Sequence, residues 1–236
     1  MNKYGISDKG LARAQNQDSF IIREGKGALL AIVCDGIGGH RAGDVASRLA
    51  CQGMVLHFDK HFANNPEEWF CQSLKAVNRF IYEKAIENSE LKGMGTTMVA
   101  ALIMDGETWI MNVGDSRCYE YTEKKGLVQL TEDHSLVNEL IKNEGMDPQK
   151  AYEIGKHVIT RAVGIWLGVE PDIFRIDNDY QWLLLCRDGL YNYVPLGDIA
   201  DTLTNGEEMA DKAQRLVDFA NVAGGYDNIT AVMVEM

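Results

Sequence analysis

The stretch ALLAIVCDGIGGHRAGDVAS, residues 28–47, decides the fold class. Its first seven residues are apolar throughout, the pattern of a short strand covered on both faces. From Ala42 the apolar positions fall at Ala42, Val45, Ala46, Leu49 and Ala50, a helical spacing that predicts a helix to about Phe58. Asp35-Gly36, at the junction, would suit a hairpin turn. No returning strand follows it, because GIGGHRAGDVAS leads into the helix. A glycine-rich loop of this kind can cradle an anion with its N–H groups or offer a carbonyl to a cation. It lacks the GK[ST] ending of a P-loop and does not form GxGxxG.

Outward from this stretch, Tyr4 to Ser7 and Ser19 to Arg23 read as strands, and a second helix starts after Pro66 with Phe70, Leu74, Val77 and Ile81 on one face. A strand-rich block follows at 97–104, 108–113, 117–121 and 127–130, with Asp105-Gly106 as a hairpin turn. A short helix is expected at 136–142, inside a polar stretch that runs to about Gly164. WLLLC (182–186) is a buried strand. Met209, Ala213, Leu216, Val217 and Ala220 line a late helix, and ITAVMV (229–234) is the last strand. Strands and helices do not alternate, which argues against a doubly wound parallel sheet and for two mainly antiparallel sheets with helices outside. No linker or repeat divides residues 1–236, so one domain is expected.

The chain has 236 residues, 46% of them hydrophobic, with 23 basic and 35 acidic side chains and a net charge of −12. This balance argues against nucleic acid and anionic membranes as partners. No apolar run reaches the length of a bilayer span, and MNKYGISDKG lacks the apolar core of a signal peptide, so a cytoplasmic location is expected. The five cysteines are scattered without a CxxC pair, which favours packing over zinc or disulfide roles. His57 and His61 have metalloprotease spacing, but Phe58 precludes HExxH.

Aspartates recur at strand ends: Asp35 after ALLAIVC, Asp115 after TWIMNVG, Asp188 after WLLLCR, Asp18 before SFII and Asp227 before NITAVMV. Gathered on one sheet rim, such carboxylates would raise one another's pKa unless a cation joined them. Hard divalent ions suit oxygen donors. Spacing alone leaves a metal site and a set of strand-end turns both open.

The motifs RAQNQD (13–18), VCDGIGGHRAGDVAS (33–47), GTT (95–97), NVGDSR (112–117), LTEDHS (130–135), ITRAVG (159–164), LCRDGL (185–190) and GGYDNIT (224–230) occur in that order. Together they resemble the metal-dependent serine/threonine phosphatases of type 2C in their compact bacterial form. The resemblance implies an α-β-β-α sandwich, an α/β (α+β) fold of four layers, with two or three Mg²⁺ or Mn²⁺ ions at one edge. It implies that Asp35 bridges two ions and Gly36 offers its carbonyl. Asp188 and Asp227 would complete the first metal's shell, Asp18 would lie near the second, and Asp115 would serve a looser third. Arg13 matches the phosphate-binding arginine, and Asn228 would orient Asp227. The segment 134–164 matches the family's flap beside the cleft, where Arg161 would either be structural or contact substrate. A hydroxide bridging the two ions would attack phosphorus in phosphoserine or phosphothreonine, opposing a cytoplasmic kinase. The alternative is an inactive phosphoprotein-binding module of the same fold, and a monomer is the default.

The chain departs from the family pattern at three places. Ile37 stands where eukaryotic relatives carry a histidine, which leaves metal-bound water or His40 to protonate the leaving group. YEIGKH (152–157) lacks the His-Pro-x-Arg often found before ITRAVG. Arg187 replaces a small residue, and three destinations are open to it: a site carboxylate, the substrate, or solvent.

Overall fold

In the computed structural model, which describes residues 1–38, 42–62, 65–156 and 158–236, strand parity organises everything. Along β3 (Ala28–Ile37), Leu30, Ile32 and Cys34 face a helical layer, while Leu29, Ala31 and Val33 face the opposite way into a core between two sheets. Both faces are therefore dry, which is why the run is apolar throughout.

The chain enters by β1 (Asn2–Asp8), β2 (Asp18–Gly25) and β3, then forms α1 (Ala42–His61) and α2 (Pro66–Glu87). Asn65 caps α2 through the Glu68 N–H, with Pro66 in the first turn. After a 3-10 turn come β4 (Gly95–Thr96), β5 (Met98–Ile103), β6 (Glu107–Val113), β7 (Arg117–Thr122) and β8 (Gly126–Gln129). Next are α3 (Leu136–Glu144), α4 (Pro148–Gly155), β9 (Asp172–Asp177) and β10 (Trp182–Cys186). The chain finishes with α5 (Asp188–Tyr191), α6 (Leu196–Thr204), α7 (Met209–Val222) and β11 (Ile229–Glu235).

One sheet runs β1-β11-β10-β7-β8 and the other β2-β3-β5-β6-β9, with β4 paired to β3; every pairing is antiparallel. α1 and α2 cover the second sheet through Phe58, Phe70, Leu74 and Ile81. α6 and α7 cover the first through Ile199, Leu203, Leu216 and Val217. The sheets meet over Val33, Val99, Ile110, Leu185 and Val232. This is the expected α-β-β-α sandwich of two antiparallel sheets.

The expected helices and strands are present, with ends shifted by a few residues. The Asp105-Gly106 hairpin joins β5 to β6, with Gly106 at φ 85°. Beyond the short β4 and α5, the elements α4, β9 and α6 emerge from stretches without a clear period. β9 is a sheet-edge strand with no fully buried residue, so its apolar alternation is weak.

Candidate active site

The registry brings all five strand-end aspartates to one rim. Asp18 pairs with Asp35 across β2 and β3, and Cys186 pairs with Ala231 and with Arg117, so Asp188 and Asp227 leave β10 and β11 at the same end. The Gly114-Asp115-Ser116 turn carries the chain from β6 in one sheet to β7 in the other at that end. Here lies a cleft of ≈ 460 Å³ lined by Arg13, Asp35, Gly36, Asp115, Asp188 and Asp227, among others.

The backbone around Asp35 is held from several sides. Its N–H donates to Thr97 Oγ1 at 3.0 Å, and its carbonyl accepts from the Thr97 N–H and from Thr96 Oγ1, both at 2.9 Å. Thr97 Oγ1 also lies 2.7 Å from Ser116 Oγ, tying the GTT motif to the Asp115 turn. Gly36 cannot carry a side chain, because a Cβ there would lie 2.2 Å from the Gly43 carbonyl oxygen. The glycine at position 43 permits the same close approach from the first turn of α1. Gly189 is equally constrained, since a Cβ would fall 1.8 Å from the Asn228 carbonyl oxygen.

Arg13 sits on the loop between β1 and β2, half exposed, and its Nη2 donates to Asp227 Oδ2 at 2.8 Å. Asn228 fixes that loop. Its side-chain amide donates to the carbonyls of Lys9 and Gln15 at 2.9 and 3.0 Å, and its Oδ1 accepts from the Gln17 N–H at 2.9 Å. Its own backbone N–H donates to Asp227 Oδ1 at 2.8 Å. Asn228 thus orients Asp227 through its main chain and the Arg13 loop through its side chain.

The departure at position 187 is central to the site. Arg187 is buried, and its guanidinium stands among four carboxylates. Nη2 pairs with Asp35; Nη1 lies 2.7 Å from Asp188 Oδ1 and 3.0 Å from Asp227 Oδ1; Nε lies 3.4 Å from Asp18 Oδ1. Of the three destinations open to Arg187, the structure selects the site carboxylates.

Burial raises the carboxyl of Asp18 to about 8 and that of Asp35 to about 6, against the opposing pull of Arg187. Asp115 is pushed up to about 7 by burial and by the charges of Asp188 and Asp35. Burial acts on Asp227 too, but Arg187 and Arg13 outweigh it and hold that carboxyl below its ordinary value. Arg187 is raised in turn, its carboxylates overcoming the cost of burial.

The described lining fits a hard divalent cation: it carries several carboxylates and, among the described residues, no sulfur or imidazole. Two buried carboxylate oxygens, Asp18 Oδ1 and Asp188 Oδ1, have no hydrogen-bond partner, which also suits a cation. Among the described residues, however, no three His, Cys, Asp or Glu side chains form a ready metal-binding group. The carboxylates are spread around Arg187 instead.

The segment that the resemblance makes a flap borders the cleft through Ile159, and a smaller cleft of ≈ 190 Å³ lies between its described residues and the rim. His134 has a role that sequence did not reveal. Its Nδ1 accepts from the Gly114 N–H at 3.1 Å, and its Nε2 lies 3.1 Å from Asp172 Oδ2 and 3.2 Å from Arg161 Nη1. Arg161 Nη1 donates to Asp172 Oδ1 at 2.9 Å, so Arg161 is turned toward β9. Tyr191, also unforeseen, donates its hydroxyl to the Asp115 carbonyl at 2.9 Å and stacks under the Arg117 guanidinium at 3.6 Å. Arg117 is locked by Asp133 through two parallel hydrogen bonds of 2.9 and 2.7 Å. His40 lies outside the described residues.

The sandwich is that of solved bacterial serine/threonine phosphatases. The Streptococcus agalactiae serine/threonine phosphatase superposes with a TM-score of 0.92 at 35% identity, over 100% of this chain and 99% of that one. The catalytic domain of the phosphatase PstP, in complex with 2 manganese ions, gives 0.85 at 32% identity over 99% and 97%. The serine/threonine phosphatase stp of Listeria welshimeri is 39% identical over 97% of this chain and 93% of that protein. The protein phosphatase 2C family matches residues 12–233, and the chain belongs to that family.

Proposed function

We propose that this chain is a metal-dependent protein phosphatase acting on phosphoserine and phosphothreonine, with residues 1–236 as one catalytic domain. The observation that carries the proposal is the convergence of Arg13 with Asp35, Asp188 and Asp227 on one cleft, with a glycine at position 36 that only a glycine can fill.

Mn²⁺ or Mg²⁺ in the cleft would neutralise the phosphoryl charge and lower the pKa of water. Asp35, Gly36, Asp188, Asp227, Asp18 and Asp115 are the residues that would hold these ions. The Arg13 guanidinium, kept in place by Asp227 and by the loop that Asn228 ties down, would take phosphoryl oxygens through its donor fork. The P–O ester bond breaks as water adds to phosphorus, giving inorganic phosphate and a free Ser or Thr hydroxyl. Ile37 has no proton to give, so the leaving oxygen takes its proton from water or from His40. The flap, with Arg161, would shape substrate choice. Phosphorylated proteins are the substrates, a serine/threonine kinase is the opposing activity, and the protein works as a cytoplasmic monomer. The absence, among the described residues, of a helix long and apolar enough to cross a membrane is compatible with that location.

The test is hydrolysis of p-nitrophenyl phosphate and of a phosphothreonine peptide with Mn²⁺, with Mg²⁺ and with excess EDTA. Metal-dependent turnover of both substrates is the expected result. No turnover by the folded, metal-supplied protein would instead select the phosphoprotein-binding module.

A further inference from the structure

The acidic rim has a permanent occupant. Counting by two from Leu183 and Leu185, which face the inter-sheet core, puts residue 187 on the same inward side. The same count from Ala31 and Val33 puts Asp35 there, and from Phe20 and Ile22 it puts Asp18 there. Thr230 belongs to this set and donates to Asp18 Oδ2 at 2.6 Å. Arg187 is therefore built into the wall of the sandwich. At 5% side-chain exposure it is out of reach of solvent, and it lies beneath the cleft that substrate would enter.

Its surroundings are those of a metal ion. Four carboxylates from separate segments of the chain approach one cation, and the Asn228 carbonyl accepts from Nη1 at 3.0 Å. The match is one of charge more than of direction. Asp18 Oδ1, Asp188 Oδ1 and Arg187 Nε are buried without an aligned hydrogen bond, although each lies within ion-pair range. A planar guanidinium fork has fixed donor directions, whereas a spherical ion accepts oxygens from any side. Arginine also keeps its charge at every accessible pH, so it cannot withdraw from the cluster by losing a proton.

We propose that Arg187 is a tethered cation that takes the place of one divalent ion, so that this chain binds one fewer metal than the same carboxylates would with a small residue at 187. The inference rests on the metal-dependent reading given above. The inner oxygens, Asp18 Oδ1, Asp35 Oδ2, Asp188 Oδ1 and Asp227 Oδ1, belong to Arg187. Thr230 takes Asp18 Oδ2 and Arg13 takes Asp227 Oδ2, so the second oxygens of Asp35 and Asp188, with Asp115 and the Gly36 carbonyl, are left for exchangeable metal. A second consequence is that the metal-free protein stays folded, because its buried carboxylates are never without a counter-charge.

The experiment is a Mn²⁺ titration of wild type and Arg187→Ser, counting bound ions by electron paramagnetic resonance, with thermal melts in EDTA and in Mn²⁺. Wild type should bind a single Mn²⁺ tightly and melt at nearly the same temperature in EDTA. Arg187→Ser should bind one more, melt lower in EDTA, and gain about 5–10 °C at a Mn²⁺ concentration near 100 times its Kd. Arg187→Lys, which keeps the charge, should count as wild type does. Two tightly bound Mn²⁺ in wild type would overturn the proposal, even if the serine variant failed to fold. Equal counts and equal EDTA melts for wild type and a folded Arg187→Ser would overturn it as well. No Mn²⁺ bound by either folded protein would overturn the metal-dependent reading itself, and this inference with it.

Discussion

The rim cleft and the flap beside it both gather charged side chains, and the chain builds the two in opposite ways. At the rim, Asp18, Asp35 and Arg187 project from strands or from the residue just beyond one, so the hydrogen-bonded registry of the sheets sets their positions. At the flap, His134, Arg161 and Asp172 lie on loops or at the start of an edge strand and are held by their own side-chain bonds. Rim charges are buried, at 0% for the Asp18 side chain and 5% for Arg187. Those of Arg161 and Asp172 are about two-fifths exposed, at 39% and 44%. A low-dielectric site magnifies every electrostatic change, while water screens the exposed one. Substitutions should therefore act through charge at the rim and through packing or local hydrogen bonds at the flap.

The largest effect is expected from Asp35→Asn. The substitution removes a negative charge while the Thr96 and Thr97 bonds still fix the backbone. Turnover of p-nitrophenyl phosphate in Mn²⁺ should fall by about 10²–10³-fold or more, the scale seen when one preorganised electrostatic group is lost. EDTA should lower wild-type turnover at least as far. Retained turnover in a folded Asp35→Asn would end the contrast, since the rim would then be no more sensitive than the surface.

Arg13→Ala comes next. It removes an exposed guanidinium that lines the rim cleft, and kcat/KM should drop about 10²-fold. Because Arg13 is half exposed, its loss should cost at most about 1 kcal/mol of stability in urea unfolding. A change confined to stability would assign Arg13 to the scaffold.

Much of the rim was legible before any coordinates, for a physical reason. Aspartates that end apolar strands must fall at strand ends, and the period of two fixes which face they share. The same arithmetic places Arg187 at the next inward position past WLLLC. The destination of its guanidinium was hidden because a long side chain can reach carboxylate, ligand or water from one backbone site. The flap was less legible. His134 joins the Gly114 N–H to Asp172 across residues far apart in sequence, and no local period signals such a bond. α4, β9 and α6 carry no legible period for a related cause: α4 and α6 are short and β9 is half exposed, so tertiary packing supplies what their patterns lack.

His134→Ala tests the flap's side of the contrast by a mechanism independent of charge. It leaves the buried Gly114 N–H without its acceptor, which should cost about 1–3 kcal/mol. It also frees the turn that carries Asp115, so activity should fall together with stability. Gln at this position, able to accept through its side-chain oxygen, should recover part of both.

The smallest expected effect lies at Asp172, and its pH dependence is what identifies it. Burial alone would raise this carboxyl, but His134 and Arg161 outweigh it and hold it below its model-compound value of 3.8. A depressed carboxyl adds stability above the unfolded-state pKa, and that contribution is lost as pH falls through the lower folded value. The stability gap between wild type and Asp172→Asn should thus be full at pH 5 and above and close progressively below pH about 4. Since the side chain is 44% exposed, screening should keep the gap under about 1 kcal/mol. Urea midpoints for the two proteins across pH 3 to 6 would measure it. A gap that stayed constant through this range would mean that Asp172 holds the flap by shape and hydrogen bonding alone, and that the flap's charges contribute nothing separable from its packing.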